Sequence, residues 1–492
     1  MNENKQKVKT LNNKNSQHLE LLDNLLSKLE PIDFHQEVYP YLYEDVAMGI
    51  ENQKNIKKMK VEERHYLIIC VEKVCQLAKE NDMGLCQNNL ATYIYNGAYW
   101  LILEDKQLEF FLGEVAGRLG VDKYESKYYQ FKEKLVKQFY ASAYISAKNF
   151  DKNKVLVNLQ NGTFEVTAKK QELRPFESND FLTYQLSFEY TPTATAPIFE
   201  EYLNRVLPDK SCQNVLAEYL GSIFIRNGND ILKLEKALLL YGTGANGKSV
   251  FFEVVNALLG NDNICNYSLQ DLCNPNGYYR TKIANKLINY ASEISDKVDT
   301  TILKQLISGE PVSARALYKD PINITDYAKL IFNCNSLPVS VEHNNAFFRR
   351  LIIIPFDVTI PEEEQDKSLH IKIIQNELSG VFNWVIEGLK RLLFNKNFTS
   401  CAIIDDAIQR YKIDSNSIKS FLVENEFEPS YKGNKITLNI LYDQYLVYCS
   451  DSRMRPFGKK NFSKLLESEG FGKVKANGGA TAFSIQKKES PE

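Results

Sequence analysis

Residues 242–249 read Gly242-Thr243-Gly244-Ala245-Asn246-Gly247-Lys248-Ser249, a complete G-x-x-x-x-G-K-[ST] octad. Glycines at the first and sixth places let the backbone turn its N–H groups inward around phosphate oxygens. Lys248 would reach the β and γ oxygens, and the Ser249 hydroxyl would meet Mg²⁺ at a helix N-terminus. The run before the octad, Lys236 to Tyr241, is apolar and strand-like. The run after it, Ser249 to Leu259, places Val250, Phe251, Val254, Val255 and Leu258 at helical spacing, with Gly260 where a C-cap belongs. Strand, glycine loop and helix in that order predict a nucleoside triphosphate site.

Hydrolysis needs more than a loop. A later strand should end in an acid for Mg²⁺ and water, followed by a polar sensor of the γ-phosphate and an arginine for transition-state charge. Leu287 to Ile294 fits the acidic strand, with Glu293 as water-positioning base and second metal contact. Ser292 precedes it where many such ATPases carry Asp, so Glu293 must carry more of the work. The pair Glu104-Asp105 also ends an apolar run but lies upstream of the octad, and reads as the solvated end of a hairpin. Lys329 to Pro338 gives another buried strand, ending in asparagine, with Asn335 as the sensor. Arg349-Arg350 precedes the strand Leu351 to Pro355, and one of them would reach a neighbouring subunit's γ-phosphate as an arginine finger.

The elements that must hold these groups fit an ordinary globular composition. Over 492 residues, 44% are hydrophobic and 25% charged, enough for two to four domains. No run approaches the ~18 apolar residues of a membrane span, and the polar start lacks a signal-peptide core. Nine scattered cysteines predict a reduced, cytoplasmic protein. Cys70, Cys75, Cys86 and His65 have rough zinc spacing, yet their apolar setting reads as a buried helix. Residues 1–90 read as a helical region with a disordered first dozen, with helices over 19–29 and 61–80. Residues 91–195 read as α+β, with hairpins turning at Asn96-Gly97 and Asn161-Gly162. A helical lead-in, 196–231, precedes a core over 232–395 and a module over 396–492.

The order and spacing of Gly242–Ser249, Leu287–Glu293, Lys329–Pro338 and Arg349–Arg350 resemble a superfamily 3 AAA+ helicase of the phage, plasmid and pathogenicity-island branch. Leu306 to Pro321 resembles the family's segment between acidic strand and sensor, which implies that Arg315 and Lys319 sit on a hairpin gripping one DNA strand in a central channel. Asn158 to Gly162, Leu182 to Leu186 and Tyr190 resemble the domain that precedes the helicase in such replication proteins. The resemblance implies an α/β fold: an AAA+ P-loop ATPase core with a mixed α+β N-terminal region and a C-terminal winged helix. It also implies ATP and Mg²⁺ as cofactors and a homo-oligomeric ring, a hexamer, with ATP between subunits. The first 90 residues hold no polymerase-type acidic pair and no zinc knuckle, so no primase activity is expected.

Net charge is only −2, but Arg453 to Lys488 carries nine basic residues against two acidic ones, a local charge of +7. Helices over 416–425, 437–449 and 458–467 and a turn Asn477-Gly478-Gly479 between short strands suit a winged helix. Lys459, Lys460 and Lys464 would face DNA from its third helix, and Lys473 and Lys475 from the wing. The expected function is unwinding of duplex DNA at the replication origin of a mobile genetic element, with a regulator or host replication protein at the N-terminus. The rivals are an AAA+ ATPase that remodels protein or packages DNA without separating strands, and an ATP-switched initiator that does no catalysis.

Overall fold

The structure is a computed structural model. It describes residues 19–47, 59–88, 91–144, 154–167, 170–292, 299–317, 320–338, 345–431, 434–452, 454, 456–476 and 478–488. The expectation of a disordered first dozen residues lies outside that set, as do Glu293, Lys319, Arg453, Arg455 and Asn477. The chain divides into two compact units, Met1–Tyr190 and Thr191–Glu492.

In the first unit, the helix over 19–27 and helix α1 (Glu63–Glu80) share one core with α2 (Asp105–Leu119) and α3 (Tyr129–Ser142). Helix α1 buries Cys70, Val71, Val74 and Ala78, the stripe that a 3.6-residue repeat turns inward. Cys70 behaves as a small apolar side chain, its thiol pushed up to about 12 by burial. The His65 ring instead accepts a hydrogen bond from the Glu62 N–H and caps that helix.

Two three-stranded antiparallel sheets complete this unit. They are β1 (Leu85–Gln87), β2 (Thr92–Tyr95) and β3 (Trp100–Leu103), then β4 (Val155–Leu159), β5 (Gly162–Val166) and β6 (Gln171–Arg174). Both expected hairpins form, with different turns. Tyr95 pairs with Trp100, leaving a four-residue loop in which Asn96 Oδ1 accepts from the Ala98 and Tyr99 N–H groups. In the second hairpin Leu159 pairs with Gly162, so the turn is Gln160-Asn161. Asn161 is used elsewhere: its side chain donates to Tyr190 O and accepts from Tyr190 N–H. Glu104 and Asp105 stand exposed where the first hairpin ends, as expected. They open helix α2, where Glu104 and Gln107 form a capping box.

The second unit begins with two helices, where one had been expected: α4 (Pro197–Val206) and α5 (Lys210–Ser222), with the break at Leu207-Pro208-Asp209. Behind them lies a five-stranded, all-parallel sheet. Its order is β13 (Leu351–Pro355), β7 (Ala237–Tyr241), β12 (Lys329–Cys334), β9 (Ile288–Ala291) and β8 (Ile264–Cys265). Strands β7, β9 and β13 are buried almost throughout, as parallel strands covered on both faces should be. Helix α6 (Lys248–Leu259) follows β7. After helix α7 (Thr300–Ser308), a separate antiparallel ribbon joins β10 (Val312–Ala314) to β11 (Ile322–Ile324), with Val312 opposite Ile324.

Helix α5 packs along α8 (Leu378–Asn395) through glycines. A Cβ on Gly388 would stand 2.4 Å from the Ala217 carbonyl carbon, so the two backbones touch. Glu218 is fully buried in this seam. It accepts from Arg391 Nε at 2.6 Å, Thr399 N–H at 2.7 Å and the Thr399 hydroxyl at 2.5 Å. Glu218→Ala should destabilise the unit by about 3 kcal/mol, since it strands the guanidinium and an N–H together. The check is a lower urea midpoint at unchanged m-value.

Helix α9 (Ala402–Asp414) leads to a module of α10 (Ser417–Glu424), α11 (Leu438–Asp451), α12 (Lys459–Ser468) and a small antiparallel sheet. In the sheet, β17 (Thr481–Lys487) pairs with β14 (Phe427–Pro429), β15 (Lys435–Thr437) and β16 (Gly472–Lys475). Phe421, Tyr445 and Phe462 form its centre, the last two stacked at 4.6 Å. Asn416, Thr437 and Gly458 stand at the three N-caps.

Candidate functional site

The octad sits at the carboxyl end of β7, and its neighbours fix its shape. Gly242 N–H donates to Cys334 O at 3.1 Å, Ile360 N–H to Ala245 O at 2.8 Å, and Asn246 Nδ2 to Phe356 O at 2.9 Å. Gly247, at φ +85°, caps α6. A Cβ there would meet Val206 Cγ1 at 2.7 Å and Tyr202 Cε2 at 3.0 Å, so only glycine fits under α4. The Tyr202 hydroxyl donates to Gly247 O at 2.8 Å.

Lys248 is buried, at 6% exposure. Its ammonium donates to Gly242 O at 2.6 Å and Asn246 Oδ1 at 3.1 Å. Among the described residues no carboxylate forms an ion pair with it, and burial lowers its pKa. A desolvated cation at a helix N-terminus, facing neutral acceptors, is a site that favours an anion. The donor set therefore fits a phosphate chain.

Parallel register brings the other groups to the same edge. Cys334 lies beside Tyr241, and Ala291 beside Phe332, so Ser292 from the end of β9 and Asn333 and Asn335 from the end of β12 project beside the octad at the end of β7. Together with Gly244–Ser249 they line one cleft of about 820 Å³, closed on other sides by Tyr202 and Val206, by Ile360, and by Leu369 and His370. Glu253, one turn beyond Ser249 on α6, also lines it. Asn335 thus shares a cleft with Lys248 and Ser249. Glu293 follows Ser292 directly and lies outside the described residues. Asn333 was missed in the sequence, although a strand puts residues i and i+2 on one face and Asn335 was already singled out. Its Oδ1 accepts from the Tyr290 hydroxyl at 3.0 Å.

The two arginines stand elsewhere. Leu351 pairs with Ala237, at the amino end of the strands, so Arg349 and Arg350 lie one strand length, ~16 Å, from their own octad. Arg350 is tied down: Nε donates to Ser308 Oγ at 3.1 Å, Nη1 to Ala346 O at 2.6 Å, and Glu235 is 3.5 Å away. Arg349 keeps 64% of its side chain in solvent, and its ion-pair partner among the described residues is Glu235 at 3.5 Å.

Arg315 is exposed where β10 ends, its N–H donating to Gly277 O at 3.2 Å. Lys319, on the same loop, lies outside the described residues. In the C-terminal module Lys460, Lys464, Lys473 and Lys475 are exposed. Lys459 lies over the Tyr442 ring at 5.4 Å, and Lys473 pairs with Glu467 at 2.9 Å. Among the described residues no helix is long and apolar enough to cross a membrane.

Residues 240–350 match a family described as "Family of unknown function (DUF5906)", and residues 72–208 match one described as "D5 N terminal like". Among solved structures, the apo A form of the NrS-1 C-terminal region is 13% identical, with 84% of this chain and 99% of that chain covered at a TM-score of 0.49. "Putative helicase L207/L206" of Acanthamoeba polyphaga mimivirus is 26% identical over 42% of this chain and 22% of its own length. "Putative helicase 184R" of Invertebrate iridescent virus 6 is 24% identical over 64% of this chain and 37% of its own length. "Putative helicase 121R" of Invertebrate iridescent virus 3 is 22% identical over 65% and 38%. The chain is an α/β protein similar to viral proteins named as helicases, and it spans between a fifth and two fifths of their length.

Proposed function

We propose that this chain is the motor of an ATP-dependent DNA helicase or replication initiator of a mobile genetic element, an AAA+ ATPase of superfamily 3. One observation carries the reading: Lys248, Ser249, Ser292, Asn333 and Asn335, from the ends of three adjacent strands, line a single cleft around a buried ammonium that pairs with no carboxylate among the described residues. The sequence similarity to viral proteins named as helicases supports it.

In this reading ATP lies in the cleft, its phosphates held by the N–H groups of residues 242–249 and by Lys248. Mg²⁺ would neutralise the β and γ oxygens beside Ser249, with Glu293 as the nearby carboxylate. Asn335, with Asn333 behind it, orients the attacking water. Subunits form a ring, a hexamer, and an arginine from the next subunit completes each site. The ribbon bearing Arg315 and Lys319 grips single-stranded DNA, and the C-terminal module, as a winged helix, anchors duplex or origin DNA through Lys459, Lys460, Lys464, Lys473 and Lys475. The protein works in the cytoplasm. The first unit is left to contact a regulator or host replication protein.

The test is strand separation of a forked duplex with and without ATP, beside ATP turnover with and without single-stranded DNA. ATP-dependent unwinding and DNA-stimulated turnover are expected. Turnover that ignores DNA and responds only to a protein partner would replace the reading with protein remodelling. Ser292, where an Asp would be stronger, gives one alternative its footing, an ATP-switched initiator. Equal, near-zero turnover in wild type and Glu293→Gln would select it.

A further inference from the structure

Away from the cleft, two thiols from distant parts of the second unit meet in the core. Cys212 is the third residue of α5, and Cys401 is the N-cap of α9. Their sulfurs are 3.2 Å apart, with Cys212 fully buried and Cys401 at 4% exposure. Asp209 stands beside them, its Oδ1 4.0 Å from Cys401 Sγ. Each cysteine is set at the rigid start of a helix, so the contact does not depend on a wandering loop. We propose that Cys212 and Cys401 are a paired dithiol that peroxide converts to a disulfide, tying the α4–α5 corner to the segment that leads into the C-terminal module.

A metal is the competing use of such a trio, and the geometry argues against it. Two thiolates on a tetrahedral zinc, with bonds of about 2.3 Å, stand about 3.8 Å apart. Here the sulfurs are closer than that. Asp209 Oδ1 already accepts from Cys212 N–H at 2.8 Å and from the Ser211 hydroxyl. Among the described residues no fourth donor joins the three. What remains is sulfur facing sulfur.

The order of events follows from exposure. Burial, with Cys401 and Asp209 alongside, pushes the Cys212 thiol well above the usual thiol range, so Cys212 resolves rather than attacks. Cys401, the one with surface, loses its proton and attacks a peroxide oxygen. The O–O bond breaks, giving a sulfenic acid and hydroxide, which takes that proton to become water. Cys212 sulfur then displaces the sulfenic oxygen, and its own proton leaves with that oxygen as a second water. Two thiols are oxidised and one peroxide is reduced to two waters. A small oxidant suits an opening this narrow.

The experiment treats the folded full chain with hydrogen peroxide, then counts thiols and maps peptides without reduction. The count should fall from nine to seven, with the peptides holding Cys212 and Cys401 joined and the intact mass lower by two hydrogens. Cys212→Ser should instead leave Cys401 as a sulfenic acid that a dimedone probe captures. Nine thiols surviving a dose that oxidises a control dithiol would overturn the proposal, as would a disulfide mapped to another pair. So would stoichiometric zinc in the purified wild type that is lost in Cys212→Ser, because the sulfurs would then be metal ligands. The peptide map needs no variant, so a misfolded substitution cannot hide the answer.

Discussion

Lys248→Ala should lower ATP turnover by at least 10²–10³-fold, the range typical for removing one preorganised group that stabilises transition-state charge. The expected drop is in kcat, because under the proposed function this ammonium would meet oxygens whose charge grows as the γ-phosphoryl group leaves. The substitution also removes a donor from Gly242 O and Asn246 Oδ1. Stability should therefore fall by about 1–2 kcal/mol, the cost of stranding two acceptors less the relief of no longer burying a cation. Asn246 keeps its bond to Phe356 O, Gly242 its bond to Cys334 O and Ala245 its bond from Ile360 N–H, so the loop stays tethered. Thermal melting separates the two effects: a folded variant with a modest midpoint shift and no turnover isolates the chemical role. Lys248→Arg should fare little better, since a planar guanidinium does not fit a pocket that leaves Lys248 6% exposed. DNA binding through the C-terminal lysines should persist in both. Turnover within tenfold of wild type would remove Lys248 from the chemistry.

How much of this was legible in the sequence depends on whether a signal is local. The octad announces itself because strand, glycine turn and helix are contiguous. The three C-terminal helices were equally readable, since Asn416, Thr437 and Gly458 cap them and Phe462 and Leu466 repeat at helical spacing. Glu104 shows a local signal passed over: besides ending the hairpin in solvent, it has a partner, Gln107, three residues on, that spells a helix start. The Asn96-Gly97 pair suggested a two-residue turn, but the Asn96 side chain was worth more as an acceptor for two N–H groups than as a left-handed turn residue. The back wall of the cleft was not legible. Tyr202 and Val206 reach Gly247 across forty residues of chain, and nothing in their neighbours' types foretells that contact. Only the sheet register shows that Asn333 joins Asn335 at the cleft while the arginine pair stands at the opposite edge.

That edge decides between the two arginines and sets the second large effect. Neither lies near its own octad, so a finger from this pair must act on a neighbour. Arg350 holds Ser308, Ala346 and Glu235 in place, and Arg350→Ala should cost about 1–3 kcal/mol of stability before it costs turnover. Arg349, mostly in solvent and held by Glu235 at 3.5 Å, is the one placed to reach outward, and Arg349→Ala should lower kcat by about 10³-fold or more with little change in melting. Mixing makes the geometry testable. In an equal mixture of Arg349→Ala and Lys248→Ala subunits, a pocket works only where an intact lysine faces an intact arginine. Random assembly makes that about a quarter of interfaces, so turnover should climb from near zero toward a quarter of wild type. A mixture as dead as its parents would mean that this arginine completes no neighbouring site, and a ring with shared pockets would lose its main support.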